Sequence, residues 1–219
     1  MKNPWLKLPN KKPYILKIDR DDIEKYNGNS KSSDRIHEEL LPEPFLGNPK
    51  SPIILLNLNP GFCKRDIKFH RQNQFKKLAR ANLLHKRSVY PFYLLNPELE
   101  TSPGYKWWDK RLHELIEDFG RRTVARKICC IEFAPYHSQK FKRLNGILPS
   151  QKYNFHLVRQ ALKNNALIIV MRSLKYWQKE VPELLKYKKK YQLGSYQAAY
   201  VTKNNLKRGY NILTKILRS

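Results

Sequence analysis

The stretch Ile53-Ile54-Leu55-Leu56-Asn57-Leu58-Asn59-Pro60-Gly61 decides how this chain is read. Four aliphatic residues in a row leave no polar face, so a strand here is buried on both sides. Asn-Pro-Gly then ends it, because proline has no amide hydrogen to give a neighbouring strand. Three more short apolar runs follow, at 127–133, 166–171 and 196–202. Between them the apolar residues fall at helical spacing. Phe75, Leu78, Ala79 and Leu83 do so within 66–84, and Leu112, Leu115, Ile116 and Phe119 within 110–119, where Gly120 is a natural stop. Phe155, Val158 and Leu162 share a face within 154–164, and Ile212, Leu213, Ile216 and Leu217 share one in the tail. Strand and helix alternate, which predicts an α/β fold. Its form is a three-layer α/β/α sandwich with a central four-stranded, mostly parallel sheet.

The domain is expected to span 45–219. Residues 1–44 read as an N-terminal arm, partly irregular, with a loop at Asn27-Gly28-Asn29-Ser30 and a short helix at 34–41. Pro42, Pro44, Pro49 and Pro52 punctuate the passage from arm to body.

The chain has 219 residues and a formal net charge of +26. Of its 44 basic residues 34 lie in 51–219, with only 10 of its 18 acidic ones, so the folded body itself is basic. Hydrophobic residues at 41% and aromatics at 12% exclude a disordered basic tail. Such charge calls for a polyanionic partner. Lys64-Arg65, Lys76-Lys77, Lys86-Arg87 and the basic runs at 140–143 and 187–191 supply phosphate contacts or solvated faces. Spanning a membrane takes about 18 apolar residues, and no run approaches that. The N-terminus has no apolar signal region, which predicts a cytoplasmic protein, nucleoid-associated if bacterial. Cys63, Cys129 and Cys130 lack C-x-x-C spacing, so buried thiols are expected and neither a metal nor another cofactor is implied.

Ligands of open α/β sheets bind beyond the carboxyl ends of the strands. The polar groups there are Asn59; Glu132 with Tyr136 and His137; Arg172 and Ser173; and Thr202, Lys203, Asn204 and Asn205. Four segments are thus expected to converge on one crevice.

A buried strand ending in Asn59-Pro60-Gly61 resembles the first motif of the uracil-DNA glycosylase superfamily, closest to the thymine-DNA and single-strand-selective branches. The succession that follows is similar to that family's core over roughly 45–219: Tyr105-Lys106-Trp107-Trp108, then the strand ending in Glu132, then Ile168 to Met171, then Thr202 to Leu206. The chain also departs from the family. Asn57 stands where a glycine usually opens the first motif, and Glu132 stands where an asparagine reads uracil. Thr202-Lys203-Asn204-Asn205-Leu206 replaces a His-Pro-Ser-Pro-Leu motif or its relatives.

The resemblance implies a monofunctional DNA glycosylase. It would flip a non-standard base out of duplex or single-stranded DNA, hydrolyse its N-glycosidic bond and leave an abasic site. Repair, or defence against invading DNA with modified bases, would be its setting, and a monomer its form. Asn59 would orient the attacking water; otherwise it only forms the turn before Pro60. Gly61 would remove the wall that a tyrosine builds against substituted bases, or it merely suits the turn. An ionised Glu132 only accepts hydrogen bonds, which suits the amino group of a cytosine-type base, modified in view of Gly61. With a raised pKa it would instead donate a proton to the leaving base. Pairing with Lys or Arg is the structural alternative. Phe62, or its rival Phe69, would stack on the flipped base. Tyr136 and His137 would sit at the pocket rim, His137 donating to base or phosphate or else lying on the surface. Arg172, Ser173, Lys203, Asn204, Asn205 and Arg208 would hold the DNA backbone. The alternative function is a catalytically inactive nucleic-acid-binding protein of the same fold, bound to DNA or RNA.

Overall fold

The computed structural model describes residues 1–219. It is an α/β structure whose five-stranded mixed sheet is flanked by helices. The strands are β1 (Phe45–Leu46), β2 (Ile53–Asn57), β3 (Ile128–Glu132), β4 (Leu167–Val170) and β5 (Lys190–Gln192), in the order β1-β3-β2-β4-β5. Every pairing is parallel except that of β1 with β3. The helices are α1 (Arg20–Gly28), α2 (Asp66–Phe69), α3 (Asn73–Leu83), α4 (Pro103–Phe119), α5 (Arg121–Lys127), α6 (Gln151–Lys163), α7 (Leu174–Glu180), α8 (Lys203–Leu206) and α9 (Arg208–Arg218).

Residues of β2, β3 and β4 are all buried, as their unbroken apolar sequences require. From β2 the chain passes to β3 on one side and then returns across β2 to β4. Right-handed crossovers place α4 and α5 on one face and α6 and α7 on the other. Side-chain packing agrees. Phe155 of α6 and Trp177 of α7 both meet Phe133, while α4, α5 and α9 contact one another. The loop after β2 therefore leaves toward one face, and those after β3 and β4 leave toward the other. That divergence opens a crevice at the end of β2.

The expected fourth strand at 196–202 does not form. That segment is a turn, with Ala199 at φ 45° and the Val201 amide donating to the Arg111 carbonyl. The fourth parallel strand is Lys-Tyr-Gln at β5, partly exposed at the sheet edge, where no two-sided apolar run is needed. The fifth strand, β1, is two residues long and lies among prolines. A helix at 34–41 is absent too, because the backbone there serves distant partners. Asn27 bonds both the amide and the carbonyl of Ile36, and the amide of His37 donates to the His137 carbonyl. The helical stretch at 66–84 is interrupted between α2 and α3, where His70 turns inward.

Residues 1–44 pack into the same core as the sheet. Trp5, Ile15, Leu16, Ile23 and Leu41 are buried in it. Buried Asp19 accepts from the Tyr136 hydroxyl at 2.7 Å and from the Ser150 amide at 3.0 Å. No helix is long and apolar enough to cross a membrane.

Candidate active site at the end of the second strand

A cavity of about 560 Å³ opens at the carboxyl end of β2. Its lining includes Asn57, Asn59, Gly61 and Phe62 after β2, Glu132 and His137 at and beyond the end of β3, Arg172 after β4, and Trp107 and Trp108 of α4. The turn at its centre is fixed by a second segment running beside it. Phe133 and Ala134 donate their amides to the carbonyls of Asn57 and Leu58, and the Ser138 amide reaches the Pro60 carbonyl. Trp177 donates its indole N–H to the Asn57 carbonyl at 3.0 Å from below.

Asn59 is half-buried in this frame. Its amide nitrogen donates to the Pro60 carbonyl at 2.9 Å and to Oγ and the carbonyl of Ser138 at 3.1 and 3.3 Å. With the nitrogen so engaged, Oδ1 is the acceptor left for a ligand or water. Gly61 does not have the positive φ that demands glycine, and a Cβ there would meet nothing within 4 Å. The space beside it is open.

Glu132 is 2% exposed and forms no ion pair. Its Oε1 accepts from Asn57 Nδ2 at 3.0 Å, with the Cys130 thiol 3.7 Å away. Burial pushes its carboxyl up to about 8, against the opposing hydrogen bond from Asn57. Glu132 is therefore mostly a neutral acid at pH 7. Glu132 Oε2 and Asn57 Oδ1 are both buried without a partner. Such atoms are costly to leave bare, and both belong to residues lining the cavity.

A second polar cluster lies behind the turn. His137 is buried, not at the rim. Its Nδ1 lies 2.7 Å from the Gly61 carbonyl and its Nε2 3.0 Å from the Leu41 carbonyl. His70 accepts the Leu41 amide on Nδ1, and burial holds the ring well below its usual pKa, so it is neutral with its proton on Nε2. Glu43 takes the Tyr93 hydroxyl at 2.5 Å; burial raises its carboxyl, opposed by the charge of His137. Together the histidines bolt the arm at Leu41 to the turn at Gly61. Glu43, His70 and His137 each bring one donor atom within 4.8 Å of the others. They do not fit a metal ion, since both nitrogens of His137 face carbonyls and the free nitrogen of His70 carries its proton.

Of the expected site residues, Asn59, Gly61, Phe62, Glu132, His137 and Arg172 line the cavity, as does Phe69. Phe62 is already stacked on His37, ring centroids 3.4 Å apart. Tyr136 faces away: its hydroxyl serves Asp19 and the Leu16 amide, and its ring meets Trp5. Ser173 adopts a left-handed conformation before α7. Lys203, Asn204, Asn205 and Arg208 stand outside the cavity lining. Asn205 holds the preceding loop, accepting from the Ser195 amide and donating to the Tyr200 carbonyl. The lining also contains residues to which the sequence assigned no role, Asn57, Asp66 and Trp107. Asn57 was hidden inside a strand. The polar letter at the end of an apolar run was the signal available for it. No protein-family model, curated protein or solved structure matches this chain.

Proposed function

We propose that this chain is a DNA glycosylase of the uracil-DNA glycosylase fold. It removes a non-standard pyrimidine, with a modified cytosine as first candidate. The observation that carries the reading is the pairing of a tethered Asn59, its Oδ1 free, with a neutral buried acid at Glu132 in one cavity. In the reaction the bond between the sugar's anomeric carbon and the base breaks. Its electron pair leaves with the base, and a water oxygen bonds the cationic carbon. Asn59 Oδ1 accepts one hydrogen of that water and directs its oxygen. The half-buried Asp66 carboxylate, also in the lining, offsets positive charge on the sugar. The proton displaced from water ends in solvent, and the departing base is protonated there or by Glu132.

Glu132 Oε2–H as donor together with Asn57 Oδ1 as acceptor, both without a partner in the structure, suits a base edge with an acceptor next to a donor. Ring N3 and the amino group of cytosine supply one, and so do O4 and N3–H of uracil. Neutral Glu132 thus widens the choice that an ionised one would narrow to an amino group. The space at Gly61 admits a substituent on the ring. Exposed Lys203 and Arg208 serve phosphates away from the cavity.

The test is incubation with DNAs holding uracil, a thymine mismatch, or hydroxymethylated or glucosylated cytosine, scored for abasic sites by alkaline cleavage. Release of a modified cytosine is expected. Release of uracil alone sinks the cytosine assignment. Tight binding with no release at all supports the second reading, a binding protein without chemistry. That reading draws on the exclusion of Lys203, Asn204 and Asn205 from the cavity lining.

A further inference from the structure

Arg111 and Arg172 come from distant parts of the chain, and no ion pair in the structure involves either. Arg111 lies on α4. Its guanidinium sits 4.2 Å from the ring centroid of Trp107 and 5.2 Å from that of Tyr200. Its Nε is buried and has no acceptor. Burial lowers its pKa from the ordinary value; Tyr200 opposes this and the charge of Arg172 adds to it. Arg172 lines the cavity, as does Trp107, on which Arg111 rests.

One loop fixes both side chains. Tyr196 accepts from Arg172 Nε on its carbonyl at 3.3 Å, and Tyr200 covers Arg111 with its ring. The Val201 amide holds the Arg111 carbonyl at 2.9 Å. Asn205 in turn braces that loop at both Ser195 and Tyr200. Two like charges are thus held by one loop beside a cavity, restrained by ring stacking and one carbonyl, and neither is in an ion pair. The arrangement is unfavourable alone and complementary to an anion. A stacked guanidinium presents its remaining N–H groups as a planar fork, which matches a phosphate better than a point charge does.

We propose that Arg111 and Arg172 form a phosphate clamp beside the cavity, holding the phosphodiester next to a nucleotide whose base enters it. The clamp rests on the reading of the cavity as a nucleotide pocket, but not on any bond being broken there. It adds Arg111, which sits in mid-helix and carries no motif.

The experiment is equilibrium binding of a short fluorescent oligothymidylate, which offers no base to release, over a salt series. Arg111→Gln and Arg172→Gln are each expected to lower the slope of log affinity against log salt by about 0.7. Each should weaken binding by about tenfold at fixed salt. Lys163→Gln, at an exposed cation on α6 outside the cavity lining, is the control and should leave the tenfold step absent. Arg111→Lys keeps the charge and should keep the slope while losing affinity. Thymidine monophosphate and inorganic phosphate are added as competitors. Weak competition by both places a phosphodiester within a strand. Strong competition by inorganic phosphate, lost in both Gln variants, places a free phosphate group at the same two residues.

Wild-type slope and affinity in both Gln variants would overturn the clamp. If Arg111→Gln fails to fold, Arg172→Gln and Arg111→Lys decide, since one carbonyl bond is all that ties the Arg172 side chain. A slope change with no base release anywhere removes the glycosylase reading and leaves the clamp standing. Base release with unchanged slopes does the reverse.

Discussion

At the carboxyl end of β2, three strands and a helix deliver side chains into one cavity. At the carboxyl end of β5, two strands away in the same sheet, the chain runs into a loop that closes on itself through Asn205. Both ends carry polar residues that by sequence alone are equal claims on a ligand. They differ in topology. The loop after β2 leaves toward one face while its neighbours on both sides leave toward the other, so a crevice must open there. Strand β5 is at the edge with one neighbour, and nothing forces a gap. Position in the sheet selects the cavity, and the +26 charge does not define it.

The largest expected effect contrasts the centre with the edge in stability. Trp177 is fully buried and its indole holds the carbonyl of Asn57 under the cavity. Trp177→Ala should cost about 3–5 kcal/mol, from the lost side chain and the loss of one of the two hydrogen bonds to the Asn57 carbonyl. Tyr191→Ala, in the half-exposed β5, should cost about 1 kcal/mol. Urea unfolding of both variants reads the difference, and equal losses would break the contrast.

Activity sharpens the same contrast. Asn59→Ala removes the tethered acceptor and should slow base release by about 10²-fold or more, while oligonucleotide affinity stays within about twofold. Gln197→Ala, exposed in the loop beyond β5, should leave release unchanged. A fall in affinity equal to the fall in rate would mean that Asn59 holds the DNA and takes no special part in the chemistry.

The centre was legible in the sequence and the edge was not, for a physical reason. A strand buried on both faces must be apolar throughout, so 53–58 and 166–171 announce themselves, and a polar letter at their ends marks the crevice. Asn59, Glu132 and Arg172 each stand at such an end. An edge strand needs no such run, and β5 reads as a basic loop while the apolar 196–202 forms a turn. Side-chain direction was less accessible. Tyr136 and His137 are adjacent, yet Tyr136 serves only the arm while His137 bridges the arm and the turn, and the arm's packing into the core decides this. Arg111 carries no motif: Trp107 is its neighbour one helical turn back on α4, but Tyr200 meets it only after folding.

The smallest effect concerns the proton on Glu132, and it bears on the base. In the folded protein burial raises this carboxyl from 4.5 to about 8, so the folded state holds a proton that the unfolded chain has released. Stability is then greatest below the ordinary value and falls as pH rises toward 8, flattening above it. The slope from this one group is about 1 kcal/mol per pH unit. Glu43 and Asp19, also raised by burial, act in the same direction. His70 acts oppositely. Its depressed pKa costs stability as pH falls below its ordinary 6.5, so the window from 6.5 to 8 isolates the acids best. Urea midpoints across that window should decline for the wild type and decline less for Glu132→Gln. A wild-type midpoint that instead climbs with pH would mean an ionised, stabilised Glu132. The cavity floor would then only accept hydrogen bonds, and the amino group of a cytosine-type base would be the edge it reads.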